Sequence, residues 1–272
     1  MHFPDRIFPA SITLPFEKEG QFIGLTLGEI RPDGASAEML SLFVAREHRR
    51  RGVGTTLLAH LEKALTRMGC RYVDLVYRSD WPCVAAIERL LHRRGWASPQ
   101  TRALIGKTDR ERMAEALRLH QFRLPDGFAI FPWSEITPQE RQEIQQRQET
   151  EQWYPPVLAP FQEEDRIEPL NSLGLRYQGR VVGWMITHRT APDTIQYTSL
   201  FVQKEFQSLG RAIPLLMESI RRQVSSEVPY AIFMVDVEND PTVKLVYRRM
   251  RPYLISLTES RTSRKMLTGS NA

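Results

Sequence analysis

Two cysteines in 272 residues exclude a disulfide framework. Cys70 and Cys83 stand in no Cys-x-x-Cys or Cys-x-x-His arrangement, and the six histidines show no metal-ligand spacing. Both cysteines are expected as small core residues, and no metal is expected. No apolar run approaches the roughly 18 residues of a membrane helix; the longest, residues 228–235, is strand-sized. The opening Met1-His2-Phe3-Pro4-Asp5-Arg6 has no basic stretch followed by an apolar one, so no signal peptide and a cytoplasmic location are expected.

What is present is a globular composition, 42% hydrophobic and 25% charged. The formal charge of +5 is uneven: residues 1–127 hold 20 Lys and Arg against 15 Asp and Glu, and the remainder 17 against 17. Much of the excess sits in His48-Arg49-Arg50-Arg51 and His92-Arg93-Arg94, clusters that suit nucleic acid, a membrane surface or a phosphorylated small molecule.

The chain also repeats itself. Ser41-Leu42-Phe43-Val44 recurs 158 residues later as Ser199-Leu200-Phe201-Val202. At the same offset Glu47 matches Glu205, Gly52 matches Gly210, Leu57-Leu58 match Leu215-Leu216, and Tyr72 matches Tyr230. With one residue of slippage, Phe22-Ile23-Gly24 resembles Val181-Val182-Gly183. So long a period means duplicated domains rather than a solenoid. Each copy reads as a strand around a glycine (21–30; 180–188), a second strand (38–44; 196–202), a Gly-containing polar loop, and an amphipathic helix. A third strand (72–77; 230–235) and a further helix follow. In the first copy Leu57, Leu58, Leu61, Ala64, Leu65 and Met68 share a helical face, with Gly69 as a stop; in the second Ile213, Leu216, Met217, Ile220 and Val224 do. Strand, loop, helix, strand implies parallel pairing and an α/β class.

The copies start differently. The second has room for a strand at 128–133 and a helix near 134–148, opened by Ser134 or Thr137 with Pro138 in the first turn. The first has about 20 residues there, too few for a strand plus helices. The turn Pro125-Asp126-Gly127 puts the boundary near 122–127, giving domains 1–124 and 125–272, with a helix at 109–120 closing the first.

In the first copy the strand ending at Val44 runs into Ala45-Arg46-Glu47-His48-Arg49-Arg50-Arg51-Gly52-Val53-Gly54-Thr55 before its helix. A glycine turn at a helix N-terminus presents unpaired backbone N–H groups and the positive dipole end, and arginines add charge. That suits a pyrophosphate; on the loop alone, a solvated basic turn explains it equally well.

Arg49 to Gly54 resembles the signature of the GNAT acetyltransferase superfamily, Arg/Gln-x-x-Gly-x-Gly/Ala. Gln207-Ser208-Leu209-Gly210-Arg211-Ala212 fits it in the second copy. The resemblance covers about residues 20–96 and 128–267. It implies two tandem domains, each a mixed, mostly antiparallel sheet with a parallel strand pair splayed around CoA and flanked by helices, the first truncated at its N-terminus. It implies acetyl-CoA as co-substrate, held in the first copy by Leu42, Phe43, Val44, Arg49, Arg50, Arg51, Gly52, Val53, Gly54 and Thr55. The matching positions of the second are Phe201, Val202, Gln207, Leu209, Gly210, Arg211 and Ala212. Ala212 replaces a glycine there and Pro214 removes an N–H, so the first loop is expected to be the main CoA site.

Amine acetylation needs a neutral nucleophile and a proton for the departing thiolate. Glu38, six residues before Val44, matches the glutamate base of the family's histone-acetylating branch; a solvent-facing strand carboxylate is the plainer alternative. The second copy has Gln196 there. The family's tyrosine acid corresponds to Leu91 in the first copy, before Gly95-Trp96, and to Tyr247 in the second, before Arg251-Pro252. Either the first copy acetylates through Glu38, or the second does through Tyr247; the more intact loop favours the first. A non-catalytic acetyl-CoA-binding or regulatory protein is the competing class. Nucleic-acid binding is disfavoured because the arginines cluster at a phosphate-type loop, and no membrane partner is expected. Trp153-Tyr154-Pro155-Pro156 falls in the family's variable acceptor segment, as an aromatic wall or as core. The acceptor, beyond an amine, and the oligomeric state are not readable.

Overall fold

The computed structural model describes residues 11–18, 20–119, 124–207 and 210–267. The chain is α/β and forms two compact units, residues 1–103 with 258–272, and residues 104–257. Among the described residues no helix is long and apolar enough to cross a membrane.

The first unit opens with three antiparallel strands, β1 (Ser11–Lys18), β2 (Gln21–Ile30) and β3 (Ser36–Val44). Helix α1 (Val53–Arg67), β4 (Tyr72–Arg78) and α2 (Val84–Arg93) follow. Alternate residues of the strands, among them Ile30, Ala37 and Met39, pack on Leu58, Leu61 and Leu65 of α1. Leu57 and these three are fully buried, which stabilises by about 1.5–3 kcal/mol each. Helix α1 stops at Arg67, and Gly69 takes the left-handed φ of 88° that ends it. Cys70 is buried as expected; Cys83, at the start of α2, is exposed rather than in the core.

Strand β5 (Gln100–Asp109) begins in the first unit and from Leu104 onward is part of the second. The second unit continues with α3 (Arg110–Leu119), β6 (Phe128–Pro132), α4 (Pro138–Glu151), β7 (Leu173–Tyr177), β8 (Arg180–Ala191) and β9 (Thr194–Val202). Then come α5 (Lys204–Gln207), α6 (Ala212–Val224), β10 (Tyr230–Asp236) and α7 (Asp240–Leu245). Its strand order is β5-β10-β9-β8-β7-β6. Thr137 caps α4 in a reciprocal box with Glu140, and Pro138 lies in the first turn.

The last strand, β11 (Ser256–Met266), belongs from Thr258 to the first unit. There it pairs antiparallel with β4, giving the order β1-β2-β3-β4-β11. The units therefore do not divide at residues 122–127, of which 122 and 123 lie outside the described residues. A turn signal marks where the chain bends, but the sheet a strand joins is set by non-local pairing. The helix expected at 109–120 is α3, and it does not close the first domain. Its Met113 sits in the second unit's core with Leu173 and Leu215. The first unit has β1 beside β2 as the second has β7 beside β8. Among its described residues it has no equivalent of β6 or α4.

Candidate functional site

Each unit contains a parallel strand pair that opens. Strands β3 and β4 are in register only over Ser36–Glu38 against Tyr72–Asp74, though β3 continues to Val44. Strands β9 and β10 pair only over Thr194–Tyr197 against Tyr230–Phe233. Just past that point both units carry a β-bulge: the register of β3 on β2 skips Leu40, and that of β9 on β8 skips Thr198. The repeat offset relates these two residues, so the duplication extends to a local distortion that re-aims the strand.

Beyond the opening, β3 ends at Val44, and a 3₁₀ turn at Arg46–His48 leads to the loop. The Arg49 Nε donates to the Val44 carbonyl at 2.9 Å, so the signature's first side chain closes the loop on its own strand. Gln207 does the same in the second unit, its Nε2 donating to the Val202 carbonyl at 2.7 Å. Both residue types offer the planar N–H that this closure needs, and the sequence alone does not reveal that role.

Gly52 caps α1 at φ 86°, and Arg50 is left-handed at φ 62°. The Thr56 amide bonds the Gly52 carbonyl at 3.0 Å, which leaves the amides of Val53, Gly54 and Thr55 without partners among the described residues. Arg46, Arg50 and Arg51 have no carboxylate partner among the described residues, and all three are exposed. Three free amides at a helix N-terminus amid unpaired guanidiniums make an anion cradle.

The second loop is poorer. Gly210 takes φ 68°, but the Ile213 amide is tied to the Gly210 carbonyl at 3.2 Å and Pro214 has no N–H. The Arg211 guanidinium lies 5.5 Å from the centre of the Phe128 ring. Ala212 opens α6; Leu209 lies outside the described residues.

The expected strand residues differ between units. Leu42 and Val44 are half-buried and Phe43 is 54% exposed, whereas Phe201 is 4% exposed and Val202 is also buried. Phe201 packs among Trp153, Tyr154, Trp133 and Trp184, so Tyr154 is core and Trp153 is half-buried against it. Phe201 and Val202 are accordingly packing residues whose side chains face the interior.

Glu38 sits where β3 leaves β4, half-buried, with Oε2 3.3 Å from Arg31 Nη2. Arg31 also reaches Asp74 at 3.0 Å, and Arg264 of β11 holds the same carboxylate at 2.7 and 2.9 Å. Burial would raise the Asp74 carboxyl, but the two guanidiniums together hold it below the ordinary carboxylate range. Sequence reading passed over this cluster; the one signal was an aspartate inside the apolar stretch 72–77. Tyr247 belongs to the second unit, 46% exposed, in a π-helical turn at Val246–Met250 that follows α7. The helix expected from Asn239 to Met250 thus changes pitch just before the tyrosine.

Residues 2–91 match the model of the acetyltransferase (GNAT) family. The first unit belongs to that family. No curated protein matches the chain. Among solved structures, a tandem GNAT protein from the clavulanic acid biosynthesis pathway is similar at TM-score 0.67 and 17% identity, over 97% of this chain and 85% of that one. A GCN5-related N-acetyltransferase from Sphaerobacter thermophilus gives 0.60 and 18%, over 92% and 78%. A GCN5-related N-acetyltransferase from Kribbella flavida gives 0.52 and 13%, over 89% and 86%. At such identities the likeness is one of fold, and that fold is a tandem GNAT. Family and fold support acyl transfer as the general chemistry.

Proposed function

We propose that this GNAT protein moves an acetyl group from acetyl-CoA to a primary amine by direct transfer in a ternary complex. The observation that carries the reading is the first unit's loop. Val53, Gly54 and Thr55 offer three free amides and Arg50 and Arg51 unpaired charge, next to a strand that has just parted from its parallel neighbour. The amides and arginines suit a pyrophosphate, and the gap between β3 and β4 suits an extended pantetheine arm. In the first unit Glu38 is the residue placed to accept the amine proton, once its Oε2 is released from Arg31. The exposure of Tyr247 beside an irregular turn favours a second assignment, with that hydroxyl as proton donor in the other unit.

The test is thiol release from acetyl-CoA by the full-length protein with spermidine, glucosamine, lysine ethyl ester and a glycine-terminated peptide. Glu38→Gln should keep acetyl-CoA binding and lower turnover by about 10²-fold or more, with Tyr247→Phe much milder. Loss of transfer in Tyr247→Phe alone moves the chemistry to the second unit. Binding without turnover for any amine supports the non-catalytic reading; no binding removes the proposal.

A further inference from the structure

We propose that the second unit holds an acyl-transfer centre of its own, in which Thr198 and His188 form a hydroxyl–imidazole proton relay; this rests on the acyl-transfer reading above. Gln196 occupies the position that Glu38 fills in the first unit, and an amide is no base. Directly across from Gln196 on β8, however, stands His188, where the equivalent cross-strand partner of Glu38 is Glu29. The base in the second unit has moved one strand over.

The geometry orients the imidazole. His188 is 6% exposed, its Nε2 3.3 Å from the Gln162 carbonyl and its Nδ1 2.7 Å from Thr198 Oγ1. A carbonyl only accepts, so the neutral ring carries its proton on Nε2 and turns the Nδ1 lone pair to the Thr198 hydroxyl. Thr198 Oγ1 is also 3.4 Å from the Gln196 carbonyl, a much longer contact than that to the ring. A hydroxyl bonded to a base that a third group orients is the arrangement that activates proton transfer.

Position gives the pair its role. Thr198 is the bulge residue, exposed, and the first past the last registered pair of β9 with β10. The imidazole is buried, yet its hydroxyl partner belongs to an exposed residue that directly follows the last pair of β9 with β10. Leu40 occupies this place in the first unit and can do nothing of the kind.

The step balances. A neutral amine attacks the thioester carbonyl carbon; the C–N bond forms and the C–S bond breaks, with its electron pair leaving on sulfur. An amine proton passes to Thr198 Oγ1 as the Thr198 proton passes to His188 Nδ1. The reverse path delivers that proton to the thiolate, so amine and acyl-CoA become amide and CoA thiol while the pair ends neutral. Thr198 is the catalytic residue, and His188 acts through it as a positioning base.

The experiment uses full-length protein, acetyl-CoA and the four amines named above. Thr198→Val keeps shape and removes the hydroxyl, Thr198→Ser restores it, and His188→Gln keeps a donor towards the Gln162 carbonyl without a base. In a Glu38→Gln background, which removes the first unit's contribution, Thr198→Val and His188→Gln should lower the remaining kcat about 10²-fold or more with KM for acetyl-CoA within about twofold, and Thr198→Ser should recover most of it. Thermal melts confirm folding, which exposed Thr198 should tolerate even if His188→Gln does not. In that background, no remaining turnover at all, a remaining kcat unchanged by Thr198→Val, or a Thr198→Ser variant as slow as Thr198→Val overturns the relay while leaving acyl transfer standing. A wild-type protein that releases no thiol with any amine overturns both.

Discussion

Gly52 and Gly54 lie two residues apart in one signature, yet substitution should affect them in opposite ways. Gly52 caps α1 at φ 86°, and a Cβ built there meets nothing within 4 Å. The cost of Gly52→Val is therefore one of backbone conformation, on the order of 1–2 kcal/mol for an L-residue held left-handed. The loop relieves this strain by turning, which takes the amides of Val53, Gly54 and Thr55 out of alignment. A hydrogen bond to a charged oxygen contributes about 1.5–3 kcal/mol, so losing one of the three weakens CoA binding at least about tenfold. Gly54 lies inside α1, where a Cβ would stand 3.7 Å from Val44 Cγ2 and Leu90 Cδ2, ordinary contact distances. Gly54→Ala should leave CoA affinity within about threefold and add up to about 1 kcal/mol through helix propensity. Ala212 already occupies the matching position of the second unit. Titration calorimetry with CoA and thermal melts on the full-length protein read both effects. Equal losses in the two variants, or wild-type affinity in Gly52→Val, would refute the argument that this backbone turn aligns the amides.

Asp74→Asn leaves Arg31, one third exposed, and Arg264, half exposed, facing a neutral amide, and should destabilise the first unit by about 1–2 kcal/mol at pH 7, since water can still reach both guanidiniums. Because the folded carboxyl titrates below its ordinary value, its contribution is complete above the unfolded value, near 3.9, and disappears as pH falls through the folded one. Urea unfolding of wild type and variant at pH 7 and pH 3 should show the gap closing; a constant gap counts against the charge network. Ending the chain after Leu257 removes a strand in register with β4 from Tyr72 to Arg78. At about 1 kcal/mol net per hydrogen bond the loss rivals the stability of a domain, so the first unit should become protease-sensitive while residues 104–257 resist. Equal resistance of both units speaks against the assignment of β11.

Much of the fold was legible because it is written locally. The strands expected at 21–30, 38–44 and 72–77 occur at Gln21–Ile30, Ser36–Val44 and Tyr72–Arg78, and their repeats follow suit. Leucines on one face drew α1, and Thr137-Pro138 drew the start of α4. The phosphate-type loop was visible for the same reason, since glycine, arginine and helix start are neighbours in the chain. The burial of the Phe201 side chain was not legible, because a sequence shows that a residue is apolar but not that Trp153, Tyr154 and Trp184 cover it. The core place expected for Cys83 failed for the same reason, its exposure being a matter of what α2 turns outward.

By itself the sequence determined the duplication, the order of elements within each copy, and the turns that need a left-handed glycine, all products of periodicity and backbone sterics over a few residues. Tertiary structure alone decided where β11 belongs, because a period-2 pattern names a strand's buried face and not the strand beside it. It also decided the two charged and polar clusters. Arg264 meets Asp74 across 190 positions, and His188 meets Thr198 at the one residue of β9 that the register on β8 skips. Such contacts depend on pairing register and on one skipped residue, and neither leaves a mark in local composition.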